Sequence, residues 1–344
     1  MFLVKKVNMT RSDDFMNKGY IMKDLNPKNS KTPVRYILFS ALACIHILTA
    51  GILGMVICCS AQQDNNSLAD GIQMKKITVK GVNISYIDEG EGMPIVLVHG
   101  IPTSSFLWRA MVDELTIYGR VVALDLPGFG FSDPPIDSDY SISNYTSHLE
   151  SFLDALAIEG EVLICHDFGG PVTVMYALQH PEKYSRLIIL DTFLHTDLPD
   201  WGLFYKIVKI KPIGEVLMGI AGESIIKAGM AGGVVNQSKI TNEIVRRYFM
   251  PTGSSDKTIK TFLGTLRVDY LEELKFIEKN LTAIDKPTLI VWGKNDAYLP
   301  LSLANRIHQD IVGSRVEVIP DCGHFLQEDK SRELTKIIAG FLGE

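Results

Sequence analysis

One stretch constrains this chain more than any other: Val162-Leu-Ile-Cys-His-Asp-Phe-Gly-Gly-Pro-Val-Thr173, an apolar run that breaks at an aspartate and two glycines and then turns helix-like. An apolar run without polar alternation marks a strand buried on both faces, so the segment reads as strand, sharp turn, helix. In a nucleophile elbow of this form, small residues stand two positions before and two after the central one, because the turn packs backbone closely around it. Cys165 and Gly169 hold those positions around Asp167. An ordinary aspartate is already ionised at pH 7, so a carboxylate at the elbow needs no base to activate it. Serine there suits acyl transfer, whereas a carboxylate can displace a leaving group from a saturated carbon and form an alkyl ester with the protein.

Around this elbow, short strand-like runs alternate with helical patterns, which argues for a sheet flanked by helices. Lys76 to Lys80 and Val82 to Ile87 read as a strand pair turning at Gly81, and Pro94 to Val98 and Val121 to Asp125 as buried strands. Ser104 or Ser105 is placed to cap a helix running to about Thr116, and Ile142 to Ala157 has helical periodicity. After the elbow helix, Pro171 to Gln179, and a strand at Leu187 to Leu190, the pattern changes. Residues 192–283 lack strand runs and hold helical pieces (Phe204 to Ile210, Ile213 to Ile220, Asn242 to Phe249), the reading of an inserted helical cap. Alternation then resumes with Thr288 to Trp292, Leu301 to Ile311, Val316 to Ile319 and Lys330 to Phe341. The fold class expected is α/β, with a mostly parallel sheet formed by 75–191 and 284–344.

The first 35 residues are polar and precede a charge-free stretch from Tyr36 to Gln63. A bilayer span needs about 20 apolar residues, so 36–61 reads as a transmembrane signal anchor, followed by a linker at 62–74. Lys23, Lys28, Lys31 and Arg35 just before it place the N-terminus in the cytoplasm and the folded domain outside. Two other readings stand beside this one: a signal peptide cut near Cys59-Ser-Ala61, leaving a secreted or periplasmic protein, and a lipoprotein site at Cys58 and Cys59.

The net charge of -6 and pI near 5.8 leave no basic footprint for nucleic acid. Three of the five cysteines crowd into the apolar N-terminal stretch, and Cys165 and Cys322 lie far apart, so neither a metal site nor a disulfide framework follows. No cofactor is expected either: Asp125-Leu-Pro-Gly-Phe-Gly-Phe-Ser132 lacks the strand-to-helix setting of a dinucleotide fingerprint and reads as a structural loop.

Two further segments complete a catalytic set. Asp296 follows the strand Thr288 to Trp292, and His324 lies in a loop after the last strand. Strand ends at the carboxyl edge of one sheet converge, and the order nucleophile, acid, histidine is that of the hydrolase template. Asp191, which also ends a strand, is a rival to Asp296 as the acid. The loop His99-Gly-Ile-Pro-Thr-Ser-Ser105 is placed to donate the Ile101 N–H to an oxyanion, with the Phe168 N–H as second donor, and His99 reads as a structural hydrogen-bonder.

From about Lys75 to the C-terminus, these residues resemble the α/β-hydrolase superfamily, and within it the haloalkane dehalogenase and epoxide hydrolase group. His99-Gly-Ile-Pro-Thr-Ser-Ser-Phe-Leu-Trp-Arg109 is similar to the dehalogenase loop. The resemblance implies a hydrolase in which Asp167 forms an alkyl ester and His324, oriented by Asp296, activates the water that releases it. Its expected partners are a small apolar electrophile, such as one with a carbon–halogen bond, and water. The chain departs from the dehalogenase pattern at two donors. Phe168 replaces the usual tryptophan and Ile101 the usual asparagine, and neither side chain can donate to halide. Trp201 or Trp108 is then a candidate donor. For epoxide hydrolysis the resemblance implies cap tyrosines, with Tyr205, Tyr248 and Tyr270 as candidates, and lactone opening on the same nucleophile is a related alternative. A membrane-anchored ligand-binding protein reusing the fold is the alternative of another class.

Overall fold

The computed structural model describes residues 72–251 and 253–344. The anchor reading of 36–61, the polar segment 1–35 and most of the 62–74 linker lie outside the described residues. Among the described residues, no helix is long and apolar enough to cross a membrane.

Eight strands form one sheet: β1 (Lys75–Val79), β2 (Val82–Glu89), β3 (Pro94–Val98), β4 (Arg120–Leu124), β5 (Glu161–Asp167), β6 (Tyr184–Thr192), β7 (Thr288–Gly293) and β8 (Arg315–Ile319), in the order β1-β2-β4-β3-β5-β6-β7-β8. The two pairings that involve β2 are antiparallel and the rest are parallel. The apolar runs of β3, β5 and β7 are buried on both faces. Val96, Val98 and Leu163 join one core, Ile95, Leu97 and Ile164 the other, as the period-two geometry of a strand requires.

Helices follow the parallel strands: α1 (Val112–Leu115), α2 (Ile142–Ala155), α3 (Gly169–Gln179), then α4 (Gly202–Val208), α5 (Ile213–Gly232), α6 (Asn242–Phe249), α7 (Asp256–Arg267) and α8 (Leu271–Asn280) between β6 and β7, and finally α9 (Ser302–Asp310), α10 (Leu326–Asp329) and α11 (Ser331–Leu342). Two local expectations change. The Ser104 hydroxyl accepts from Phe106 N–H, but the turn it caps is a 3-10 segment ending at Trp108, with α1 separate, so no continuous helix reaches Thr116. Helix α5 continues past Ile220 to Gly232 across a kink at Ala221. Its Gly222 does not break the helix: a Cβ there would meet the Phe249 ring at 2.4 Å, so glycine is what lets α6 pack against it. Helices α7 and α8 complete the inserted segment.

Candidate active site

Asp167 ends β5 with φ of +51°, the left-handed region that a non-glycine residue enters only under constraint. The constraint is visible around it. A Cβ on Gly169 would meet Val98 O at 2.5 Å and one on Gly170 the Thr192 hydroxyl, so α3 starts only because both are glycine. Thr192 Oγ1 donates to the Asp167 carbonyl at 2.5 Å. On the other side, Gly100 brings its loop so close that a Cβ would lie 2.4 Å from that of Asp167. That approach lets Ile101 N–H donate to Asp167 Oδ1 at 2.8 Å. Phe168, fully buried, is the N-cap of α3 immediately after it.

His324 stands on the remaining side. Its Nε2 is 3.6 Å from Asp167 Oδ2, and its Nδ1 is 2.9 Å from Asp296 Oδ2. The other oxygen of Asp296 accepts Tyr298 N–H at 2.7 Å and Leu299 N–H at 3.0 Å, which fixes the carboxylate. Burial alone would strip the proton from His324, but the charges of Asp296 and Asp167 outweigh it and hold its pKa well above the usual histidine range. For Asp296 burial likewise opposes ionisation, and the facing His324 charge with the two N–H bonds lowers its pKa. The rival acid, Asp191, is fully buried and takes Gly293 N–H at 3.0 Å. Burial, followed by the Asp296 charge, pushes its pKa well above the carboxylate range. Asp191 thus faces Gly293, and Asp296 is the acid that meets the histidine.

His99 takes the structural place expected of it: Nε2 accepts Leu126 N–H at 2.9 Å, and Nδ1 faces Gly100 O at 2.7 Å. Asp125 likewise serves its own loop, accepting Ser105 N–H and Phe131 N–H.

The aromatic candidates divide. Tyr205 feels the Asp167 charge, which together with the larger effect of burial pushes its hydroxyl up to about 12. The Trp201 ring packs against it at 4.9 Å. The Tyr270 ring lies 5.4 Å from Phe168, but its hydroxyl donates to Thr265 O at 2.5 Å. Tyr248 is committed elsewhere: fully buried, its hydroxyl donates to Glu328 Oε1 at 2.8 Å. Trp108 is fully buried, and its indole N–H has no hydrogen-bond partner among the described residues.

Two residues behind the site were not singled out from sequence. Glu328 receives both Arg109 guanidinium nitrogens at 2.7 Å as well as Tyr248. Asp329 accepts Val235 N–H at 2.6 Å and Gly323 N–H at 2.9 Å. The signal available was their position, two adjacent acids a few residues after His324, but the partners lie far away in sequence. Together they tie the histidine loop to the inserted helices and to the loop after β3.

The chain matches the family model described as alpha/beta hydrolase fold over residues 93–211 and 234–331. It belongs to that family and is an α/β-fold hydrolase enzyme. A cis-3-alkyl-4-alkyloxetan-2-one decarboxylase of Shewanella oneidensis is 32% identical over 77% of this chain and 86% of its own length. A haloalkane dehalogenase of Psychrobacter cryohalolentis is 28% identical over 76% and 88%. Among solved structures, the haloalkane dehalogenase DatA from Agrobacterium tumefaciens C58 superposes with a TM-score of 0.72 at 22% identity, covering 80% of this chain and 97% of that one.

Proposed function

We propose that this enzyme opens an apolar oxetan-2-one, a four-membered cyclic ester with alkyl groups on C3 and C4, through attack of Asp167 on a saturated carbon. The observation that carries the reading is what surrounds Asp167: one backbone N–H on Oδ1, His324 beside Oδ2, and Phe168 and Ile101 where dehalogenases are expected to present side-chain donors. A leaving carboxylate suits such a site. As the conjugate base of an ordinary carboxylic acid it departs without needing a proton, whereas an epoxide alkoxide needs one. The similarity to the Shewanella decarboxylase supports the same substrate class.

In this reading Oδ2 attacks C4 as the C4–O ring bond breaks, giving an Asp167 alkyl ester and a free carboxylate on C3. Inversion at C4 leaves the ester oxygen antiperiplanar to that carboxylate. The C3–carboxylate bond then breaks, its electron pair forms the C3–C4 double bond, and the C4–O electron pair returns to Asp167. Carbon dioxide and an alkene leave, and no water is consumed. Inversion followed by anti elimination keeps the two alkyl groups on one side, so a cis ring yields a cis alkene. Positively charged His324 stabilises the returning carboxylate. If ester carbonyl hydrolysis competes, the product is a β-hydroxy acid, with Ile101 N–H holding the oxyanion.

The test is product analysis with a cis-3,4-dialkyl-oxetan-2-one, a 1-haloalkane and an epoxide. The wild type should give cis alkene and carbon dioxide from the lactone, and Asp167→Ala none. Halide release as the fastest reaction would instead support the second reading, dehalogenation, which the Psychrobacter relative favours. We also infer from the charge-free stretch 36–61 and the lysines before it that the domain is anchored to a membrane and faces away from the cytoplasm. Protease accessibility of the domain in intact cells, with the N-terminus protected, is the expected result.

A further inference from the structure

Helix α5 departs from the pattern of a helix on a globular surface. Its inward positions, Gly214, Met218, Gly222, Ile226 and Met230, are buried at four-residue spacing. Its opposite face should be polar, yet Ile213, Val216 and Ile220 are 43%, 54% and 73% exposed. Helix α4 and the turn after it extend the patch with Leu203, Phe204 and Ile210. A soluble domain seldom exposes so much contiguous apolar surface unless something covers it.

The margins of the patch are basic. Lys206, Lys209 and Lys211 fall between its two halves. Glu215, the acid of the first turn of α5, is taken up by Arg267, Lys206 reaches only the exposed Asp200, and Lys209 Nζ lies over the Tyr205 ring at 5.2 Å, which leaves Lys211 without a carboxylate partner among the described residues. Trp201, half-buried, sits at the N-cap of α4, the type of residue that collects at membrane–water interfaces. The chain outside the described residues adds a tether. The charge-free stretch ends at Gln63, nine residues before Ile72, so the domain stays within about 30 Å of wherever that stretch ends.

We propose that the outer face of α4 and α5 docks on the surface of an anionic lipid bilayer, with Leu203, Phe204, Ile213, Val216 and Ile220 at the acyl boundary and the exposed Lys206 and Lys211 at the headgroups. Apolar burial and basic flanks act together in this kind of interfacial binding.

The chain carries its own probe. Of its three tryptophans, Trp108 and Trp292 are fully buried and Trp201 is not. The full chain is reconstituted in vesicles of phosphatidylcholine and phosphatidylglycerol with plain or brominated acyl chains, and tryptophan emission is compared. Brominated lipid should lower the emission by up to the share of Trp201, and Trp201→Phe should abolish the difference. The pair Val216→Asp with Ile220→Asp, and independently Leu203→Ser with Phe204→Ser, should also abolish it while the protein stays on the vesicles and its circular dichroism is unchanged. Equal emission in both lipids overturns the proposal, as does quenching that survives both surface pairs. A dimer that Val216→Asp with Ile220→Asp dissociates, without lipid quenching, would assign the face to a second copy. The readout involves no turnover, so its failure leaves the reading of Asp167 standing.

Discussion

Replacing Asp167 with asparagine should change the proton affinity of His324 more than any other single substitution, Asp296 aside. The two side chains approach to 3.6 Å, and at an effective dielectric constant near 20 a unit charge at that distance contributes about 4–5 kcal/mol. Losing that charge therefore lowers the His324 pKa. The measurement is an NMR titration of the imidazole carbon-bound protons in wild type and Asp167→Asn. Wild-type His324 should titrate well above the ordinary histidine range, and the variant should fall back toward it. Forming an alkyl ester removes the same charge, so the substitution mimics the electrostatics of the intermediate. A His324 pKa that moves by less than about half a pH unit would refute the electrostatic account, because it would mean that solvent screens the pair and that Asp167 does not govern the histidine.

Other perturbations probe separate parts of the site. Burial raises the Asp191 pKa, which favours its neutral form, so Asp191→Asn should cost under about 1 kcal/mol in urea unfolding and leave turnover nearly unchanged, whereas Asp296→Asn should lower the His324 pKa and slow turnover by at least about tenfold, or 1.4 kcal/mol; equal losses of turnover would contradict the assignment. Glu328→Ala leaves the Arg109 guanidinium buried without its partner and should destabilise the fold by about 3–5 kcal/mol, and a loss below about 1 kcal/mol would show that water replaces the pair. Folding raises the His324 pKa, so the stability it contributes is complete below the ordinary histidine range and is lost as pH rises through the raised value; Asp296, lowered by folding, contributes above the ordinary carboxylate range and is lost as pH falls through its lowered value. Unfolding free energies across pH should therefore show an alkaline decline that His324→Gln lacks. Phe168→Trp combined with Ile101→Asn should increase halide release from a 1-haloalkane, measured against the parent, by supplying the two missing donors.

What the sequence made legible follows from the range of the interactions. Strands β3, β5 and β7 are buried on both faces, so their apolar runs needed no context, and the Asp167 elbow announces itself through local crowding that only glycines relieve. Asp296 and His324 could be placed because strand ends converge at one edge of a parallel sheet. The tyrosines could not be sorted in that way. Tyr248 is held away by Glu328, eighty positions further along the chain, and no local pattern encodes such a pairing. Helix α5 was truncated for a related reason: its glycines read as breaks, while in the fold Gly222 is a packing surface for Phe249.

Glu328 and Asp329 follow the histidine loop and hold residues of the inserted segment, Tyr248 of α6 and Val235 in the connection after α5, with the same two carboxylates that hold Arg109 and Gly323. Any motion that lifts those helices from the sheet must therefore loosen the loop that carries His324. The pairing of His324 with Asp167 and Asp296 is thus secured by contacts made well outside the site, in the inserted segment.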